Sequence, residues 1–199
     1  KNKTFIESLK LLGFDYKLLN DYSKQECSGI HLEGTGSVVL DRINKVAYCS
    51  ISKRSSEKLF HLFCEDIGYE PVSFKSYDSR GELIYHTNVM MSIGDDFALV
   101  CLDSIKNKKE MSSVKNTLIK SGKKLVEISL DQVDSFLGNL IQLGDSHNKI
   151  IVMSRKAYLS LNTKQKNILS RESKIVDIPI PIIESIGGGS VRCMIAELI

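Results

Sequence analysis

Gly36-Ser37-Val38-Val39-Leu40, the four residues Asp41-Arg42-Ile43-Asn44, and Val46-Ala47-Tyr48-Cys49 form the stretch that decides the fold. Two short apolar runs flank a segment with turn chemistry, which predicts a β-hairpin. A helix is expected next, from about Ser55 to Ile67, with Gly68 as its stop and Pro71-Val72-Ser73-Phe74 as a further strand. The unit is a ββαβ module.

The same order returns twice. The second copy comprises Val89 to Ile93, the turn Gly94-Asp95-Asp96, Phe97 to Leu102, a helix near Ser112 to Lys120, Gly122 and the strand Lys124 to Ile128. The third comprises Leu140 to Leu143, the turn Gly144 to Asn148, Lys149 to Met153, a helix near Thr163 to Ser170, and Ile175 to Ile178. Asn162 and Gln165 have capping-box spacing at the start of that helix. Upstream, Thr4 to Leu12 reads as a helix with the capping pair Thr4 and Glu7, stopped by Gly13 and followed by the strand Phe14 to Leu19. This is the back half of another module, whose hairpin is expected ahead of Lys1. An N-terminal segment is therefore expected to be missing from an otherwise single catalytic domain spanning 1–199.

Four residues occupy corresponding points just before or at the start of the hairpins: Glu33, His86, Asn139 and Cys193. Their separations are 86−33=53, 139−86=53 and 193−139=54. A carboxylate, an imidazole, an amide and a thiol thus enter at one end of successive modules. Modules arranged radially would gather those ends around a central axis, as in a propeller-like fold.

Cys193 stands behind Gly187-Gly188-Gly189-Ser190-Val191-Arg192, on what reads as a short strand. Glycines permit backbone conformations that side chains forbid and allow a ligand to approach the main chain. The thiol needs a partner to become a competent nucleophile, and His86 suits that task because imidazole titrates near neutrality. Glu33 would accept a hydrogen bond from the other imidazole nitrogen. The bland alternatives are a core cysteine, a surface histidine and a solvated strand-end carboxylate. His31, His61 and His147 lack comparable support, and Cys49, Cys64 and Cys101 read as core. A phosphate nest at Gly187 to Ser190 lacks the Lys-Ser/Thr pair and the strand-loop-helix context such nests require.

Composition narrows the class. At 199 residues and 42% hydrophobic, the chain can bury a proper core. A net charge of +3 spread over both signs gives little support to nucleic-acid or polybasic membrane binding. There is no apolar run of membrane-spanning length and no signal-peptide pattern, so a cytoplasmic setting is the expectation. The five cysteines include no CxxC pair, and free thiols with no metal site or cofactor are expected.

Leu32-Glu33-Gly34-Thr35-Gly36-Ser37, Tyr85-His86-Thr87-Asn88-Val89-Met90-Met91, Phe136-Leu137-Gly138-Asn139 and Gly187-Gly188-Gly189-Ser190-Val191-Arg192-Cys193-Met194-Ile195-Ala196-Glu197 together resemble the guanidine-modifying superfamily. That superfamily holds arginine deiminases, dimethylarginine hydrolases and amidinotransferases, and the similarity is greatest to its citrulline utilisation hydrolase branch. The resemblance implies a five-bladed pseudosymmetric α/β propeller, with an incomplete N-terminal blade here. It implies Cys193 as nucleophile, His86 as general acid/base and Glu33 as the carboxylate of a Glu-Gly-Gly-Asp motif. It also implies that an acidic substrate-binding residue would come from a blade before Lys1.

Two departures matter. The superfamily's His-x-Asp motif reads His86-Thr87-Asn88, and Glu-Gly-Gly-Asp reads Glu33-Gly34-Thr35-Gly36. A guanidinium favours a carboxylate that takes two charge-assisted hydrogen bonds, whereas a neutral ureido group presents a carbonyl to which an amide donates. Asn88 therefore favours citrulline over arginine, with Asn139, Gly188 and Gly189 as further substrate-binding positions. The expected reaction gives ornithine, ammonia and carbon dioxide through an S-carbamoyl intermediate. Its rivals are an arginine deiminase-type hydrolase or amidinotransferase, and a truncated, non-catalytic binding module. In the last case open strand edges favour pairing with another chain, a homo-oligomer included.

Overall fold

The structure, a computed structural model, describes residues 7, 8, 10–13, 21–145 and 147–197. The expected strand Phe14 to Leu19 and the Thr4 end of the first helix lie outside the described residues. Residues 7, 8, 10 and 11 are helical, and Gly13 follows with φ +81.

The first full module opens with one helical turn, α1 (Gly34–Ser37), and continues through β1 (Val38–Asp41), β2 (Val46–Ser50), α2 (Glu57–Ile67) and β3 (Glu70–Phe74). The second runs β4 (Met91–Ile93), β5 (Phe97–Val100), α3 (Lys108–Lys120) and β6 (Lys124–Glu127). The third follows a short α4 (Leu130–Asp134), as β7 (Ile141–Leu143), β8 (Ile150–Ser154), α5 (Arg155–Ser160), α6 (Thr163–Leu169) and β9 (Lys174–Ile178). Each module folds as a three-stranded mixed sheet in chain order, an antiparallel hairpin whose second strand pairs in parallel with the third. A parallel pair needs a crossover, and the helix supplies it.

Local chemistry sets the ends of these elements. Ser56 Oγ accepts from the Leu59 amide at the start of α2, and Gly68 closes the helix in the left-handed region at φ 70. The third module's capping box forms in full, with Gln165 N donating to Asn162 Oδ1 at 2.9 Å and Asn162 N to Gln165 Oε1 at 3.0 Å. The α3 helix begins about a turn before the expected Ser112, because Asn107 Oδ1 caps the amides of Lys109 and Glu110. Two ends of expected strands fall in 3-10 turns instead: Val89 in Thr87–Val89 and Leu102 in Leu102–Ser104.

Strand β1 packs beside β4, and β4 beside β7, so the leading strands of the three modules lie next to one another in chain order. One core runs through all three, including Tyr48, Phe74, Met90, Phe97, Leu99, Leu118, Leu140 and Ile151. The seams between modules are polar. Asp41 and Lys123, with side chains 0% and 2% exposed, pair at 3.3 Å across the first seam. Lys123 Nζ also donates to the Gly94 and Asp95 carbonyls at 3.0 Å. At the second seam Gln142 takes the Asp95 amide at 2.7 Å and donates to Ser173 at 2.8 Å. No helix among the described residues is long and apolar enough to cross a membrane.

Candidate active site

A buried hydroxyl network places the first two functional side chains. The Glu33 amide donates to Ser37 Oγ at 3.0 Å, and Ser55 donates to the same oxygen at 2.8 Å. Thr87 donates to the Ser37 carbonyl and accepts the Ser50 amide at 2.7 Å. The 86–88 segment of the second module is thereby pinned to the first. His86 and Asn88 flank Thr87, His86 on the partly open side and Asn88 only 4% exposed.

His86 Nε2 lies 2.7 Å from Glu33 Oε2. Its ring rests on Gly36, where a Cβ would lie 2.7 Å from Nδ1. The second glycine of the Glu33-Gly34-Thr35-Gly36 run is thus a requirement of the imidazole's close approach.

Asn139 is presented by the tight 136–139 segment. Phe136 has the left-handed φ of 63, and a Cβ at Gly138 would lie 2.1 Å from the Val89 carbonyl oxygen. The buried Asn139 amide bridges two neighbours. Its Nδ2 donates to the Asn88 carbonyl at 3.1 Å and to Cys193 Sγ at 3.2 Å, while the sulfur lies 3.6 Å from Oδ1. Asn88 Nδ2 approaches the same sulfur at 4.0 Å, and Asn88 Oδ1 is buried without a hydrogen-bond partner.

Cys193 does not sit on a strand as expected. The chain makes a π-helical turn at Ile183–Gly187, Gly188 takes φ 67, and Val191–Met194 close as a 3-10 turn in which Cys193 N donates to the Ser190 carbonyl at 3.0 Å. A Cβ on Gly189 would lie 3.3 Å from the Cys193 Cβ and 3.5 Å from its sulfur. The turn is anchored by Val191, buried against Ile141 and Val152, and by the buried Ser190 Oγ donating to Glu184 at 2.8 Å. Cys193 as a residue is exposed, with its sulfur partly covered by Asn88 and Asn139.

His86, Asn88, Asn139, Gly188, Gly189 and Cys193 line one cleft of about 320 Å³, which Glu33 joins through His86. The structure therefore brings Glu33, His86, Asn139 and Cys193 together with Gly188 and Gly189 at one cleft. His31, His61 and His147 are not among its lining residues. Cys49, Cys64 and Cys101 are buried core, and burial pushes the first two thiols up to about 12 and about 11 and raises Cys101 as well.

Two participants escape sequence reasoning. Arg54 pairs with Glu33 at 3.5 Å and lies 5.0 Å over the Tyr85 ring, while Tyr85 sits beside the His86 ring and donates to the Gly188 carbonyl at 3.3 Å. Adjacency to His86 was the one available signal for Tyr85; Arg54 had none. Chemically, the arrangement offers an accessible thiol with two amide side chains at its sulfur, and an imidazole buttressed by a carboxylate. These are parts suited to nucleophilic attack and proton transfer.

The profile of the family described as N,N dimethylarginine dimethylhydrolase, eukaryotic, matches residues 1–199. No curated protein sequence matches the chain. Among solved structures it is similar to apo ArgZ, an arginine dihydrolase from the ornithine-ammonia cycle in cyanobacteria, with TM-score 0.69 at 18% identity over 96% of this chain and 27% of that one. The N-terminal domain of ArgZ bound to substrate gives TM-score 0.67 at 17% identity, over 96% of this chain and 63% of that one. AgrE in its binary complex with L-arginine gives 0.69 at 17% identity, over 96% and 26%. The chain spans about a quarter of the full-length neighbours and under two thirds of the ArgZ N-terminal domain, with whose mixed α/β fold it agrees. The chain belongs to the dimethylarginine dimethylhydrolase family, a hydrolase family of the guanidine-modifying superfamily that its motifs resemble.

Proposed function

We propose that this protein hydrolyses the ureido group of citrulline at Cys193, giving ornithine, ammonia and carbon dioxide. The observation that carries this reading is Asn88, a buried amide 4.0 Å from the Cys193 sulfur with an unpartnered Oδ1. An amide offers N–H donors and one carbonyl acceptor, and a ureido group presents the complementary carbonyl and N–H groups. A carboxylate there would only accept, which suits a guanidinium.

In the first step Cys193 thiolate forms a bond to the ureido carbon, and the carbonyl electron pair moves onto oxygen. Collapse expels the ornithine nitrogen, which takes a proton from His86, and leaves an S-carbamoyl cysteine. Water, losing a proton to the same imidazole, then displaces the sulfur. The carbamic acid released breaks down to ammonia and carbon dioxide. Glu33 stabilises the charged imidazole through its 2.7 Å contact, and Asn139 donates to the sulfur at 3.2 Å. Backbone amides around Gly188 and Gly189 are the candidate oxyanion donors, each worth about 2.7 to 4 kcal/mol where such donors have been removed in other enzymes. The three ββαβ modules are read as part of the pseudosymmetric α/β propeller that the family resemblance implies.

A second reading, hydrolysis of the guanidino group of arginine, is favoured by the family description and by the likeness to an arginine dihydrolase. Incubation of the purified protein with each amino acid, with ornithine, citrulline and ammonia quantified, separates the two. Ornithine from citrulline and no turnover of arginine is the expected result. Citrulline formed from arginine, with citrulline itself left intact, overturns the assignment. No turnover of either by well-folded protein supports the non-catalytic reading. Cys193→Ala should abolish turnover in either active case.

A further inference from the structure

Four residues beyond the thiol (197−193=4), Glu197 ties the end of the described chain to the first module. Arg42, in the β1–β2 turn, donates to its two oxygens at 3.0 and 3.3 Å across 155 residues of chain. The same carboxylate pairs at 3.6 Å with Arg192, the residue next to Cys193. Arg192 Nη1 closes the loop by donating to the Ile195 carbonyl at 3.1 Å. The Arg192 side chain is only 13% exposed, and that of Glu197 20%. Desolvation lowers the pKa of Arg192, Glu197 opposes that shift, and the nearby Arg42 reinforces it. Without the carboxylate, the largely buried Arg192 would face the half-exposed Arg42 with no charge between them. The three residues wall a small polar cavity of about 80 Å³ that Asn88 also lines.

We infer that Glu197 is a positioning residue, which locks the Cys193 turn against the β1–β2 hairpin and so sets the sulfur relative to Asn88 and Asn139. This rests on Cys193 being the nucleophile but not on the identity of the substrate. A fork of two N–H donors on one carboxylate fixes direction as well as distance, so the clamp constrains the turn more than a point contact would.

The test pairs turnover with alkylation of Cys193 by iodoacetamide, followed by mass spectrometry with the exposed Cys27 as internal control. Alkylation requires no substrate, so it also tests the clamp if citrulline proves to be the wrong one. In Glu197→Gln, kcat should fall roughly 10²-fold, the scale expected of a small misplacement, with KM changed less than about threefold. Meanwhile the alkylation profile of Cys193 should move to lower pH, because Arg192 on the same turn loses its neutralising partner while His86 across the cleft is unchanged. Arg42→Met should reproduce the turnover loss, and the double variant should be no worse than either single one. A profile that does not move while stability falls would show a merely structural contact, and additive losses in the double variant would show that no clamp exists. Either outcome overturns the inference. Should citrulline not be turned over by the unmodified chain, a Cys193 alkylation rate in Glu197→Gln differing from it by under about twofold at every pH would do the same.

Discussion

Glu33 and Asp41 lie eight residues apart (41−33=8) and each faces a basic partner from the second module, yet the two pairs live in opposite surroundings. The Glu33 carboxylate is 41% exposed and meets His86 and Arg54 at the rim of the cleft. Asp41 is fully buried, satisfied by Asn44 N at 3.1 Å, Asn44 Nδ2 at 3.0 Å and Lys123 at 3.3 Å. A half-exposed pair is screened by water and contributes little to folding, whereas breaking a buried pair strands a charge in low dielectric. One end of the hairpin is therefore free to serve chemistry because the other end holds the modules together.

Substitutions can break that contrast, and the greatest effect is expected at the rim. His86→Ala should lower kcat by roughly 10² to 10⁴ while leaving the thermal midpoint nearly unchanged, as measured by steady-state assay and calorimetry on one preparation. A large drop in the midpoint would mean that the rim pair is structural after all. At the seam the signs reverse. Lys123→Met should destabilise the fold by about 3 to 5 kcal/mol in urea titration, and Lys123→Met combined with Asp41→Leu should recover most of the loss. Failure of the double variant to recover would show that Asp41 matters chiefly for capping its own turn through Asn44.

Glu33→Gln sharpens the comparison further. It keeps a hydrogen-bonding group beside His86 but removes the charge, and about a tenfold loss in kcat with unaltered urea midpoint is expected. A smaller effect comes from the buried thiols. Burial pushes the Cys49 and Cys64 thiols up to about 12 and about 11, so the folded state holds their protons where the unfolded state releases them. Their contribution is whole below about pH 9 and declines as the pH rises toward 11 and 12. Denaturant midpoints taken from pH 8 to 11 should fall, and Cys49→Val with Cys64→Ala should flatten the decline.

The module order was legible in the sequence because each signal was local. Gly68 ends α2 in the left-handed region its position suggested, and Asn162 with Gln165 forms the capping box their spacing implied. The gathering of Glu33, His86, Asn139 and Cys193 at one cleft was legible through phase alone, since a repeat near 53 residues carries equivalent positions to one place. The strand expected at Cys193 failed for a physical reason. Val191, Cys193 and Ile195 alternate as strand residues do, but the loop Gly187 to Gly189 turns the chain so sharply that Cys193 N reaches back to the Ser190 carbonyl. Val89 likewise ends a 3-10 turn rather than opening a strand, because Thr87 is drawn to Ser37 and Ser50 by contacts from another module. Arg54, Arg42 and Glu197 could not be found by periodicity, since each meets its partner across a distance in the chain that no local pattern encodes.

The imidazole's resting place on Gly36 has a further consequence. The position of His86 is defined in part by atoms that are missing, as a casting is defined by its mould. A single added methyl at residue 36 would meet the ring at 2.7 Å, displace it and silence the histidine without altering it. Loss of activity in a relative could therefore be written in a glycine while every chemical group of the site remained in place.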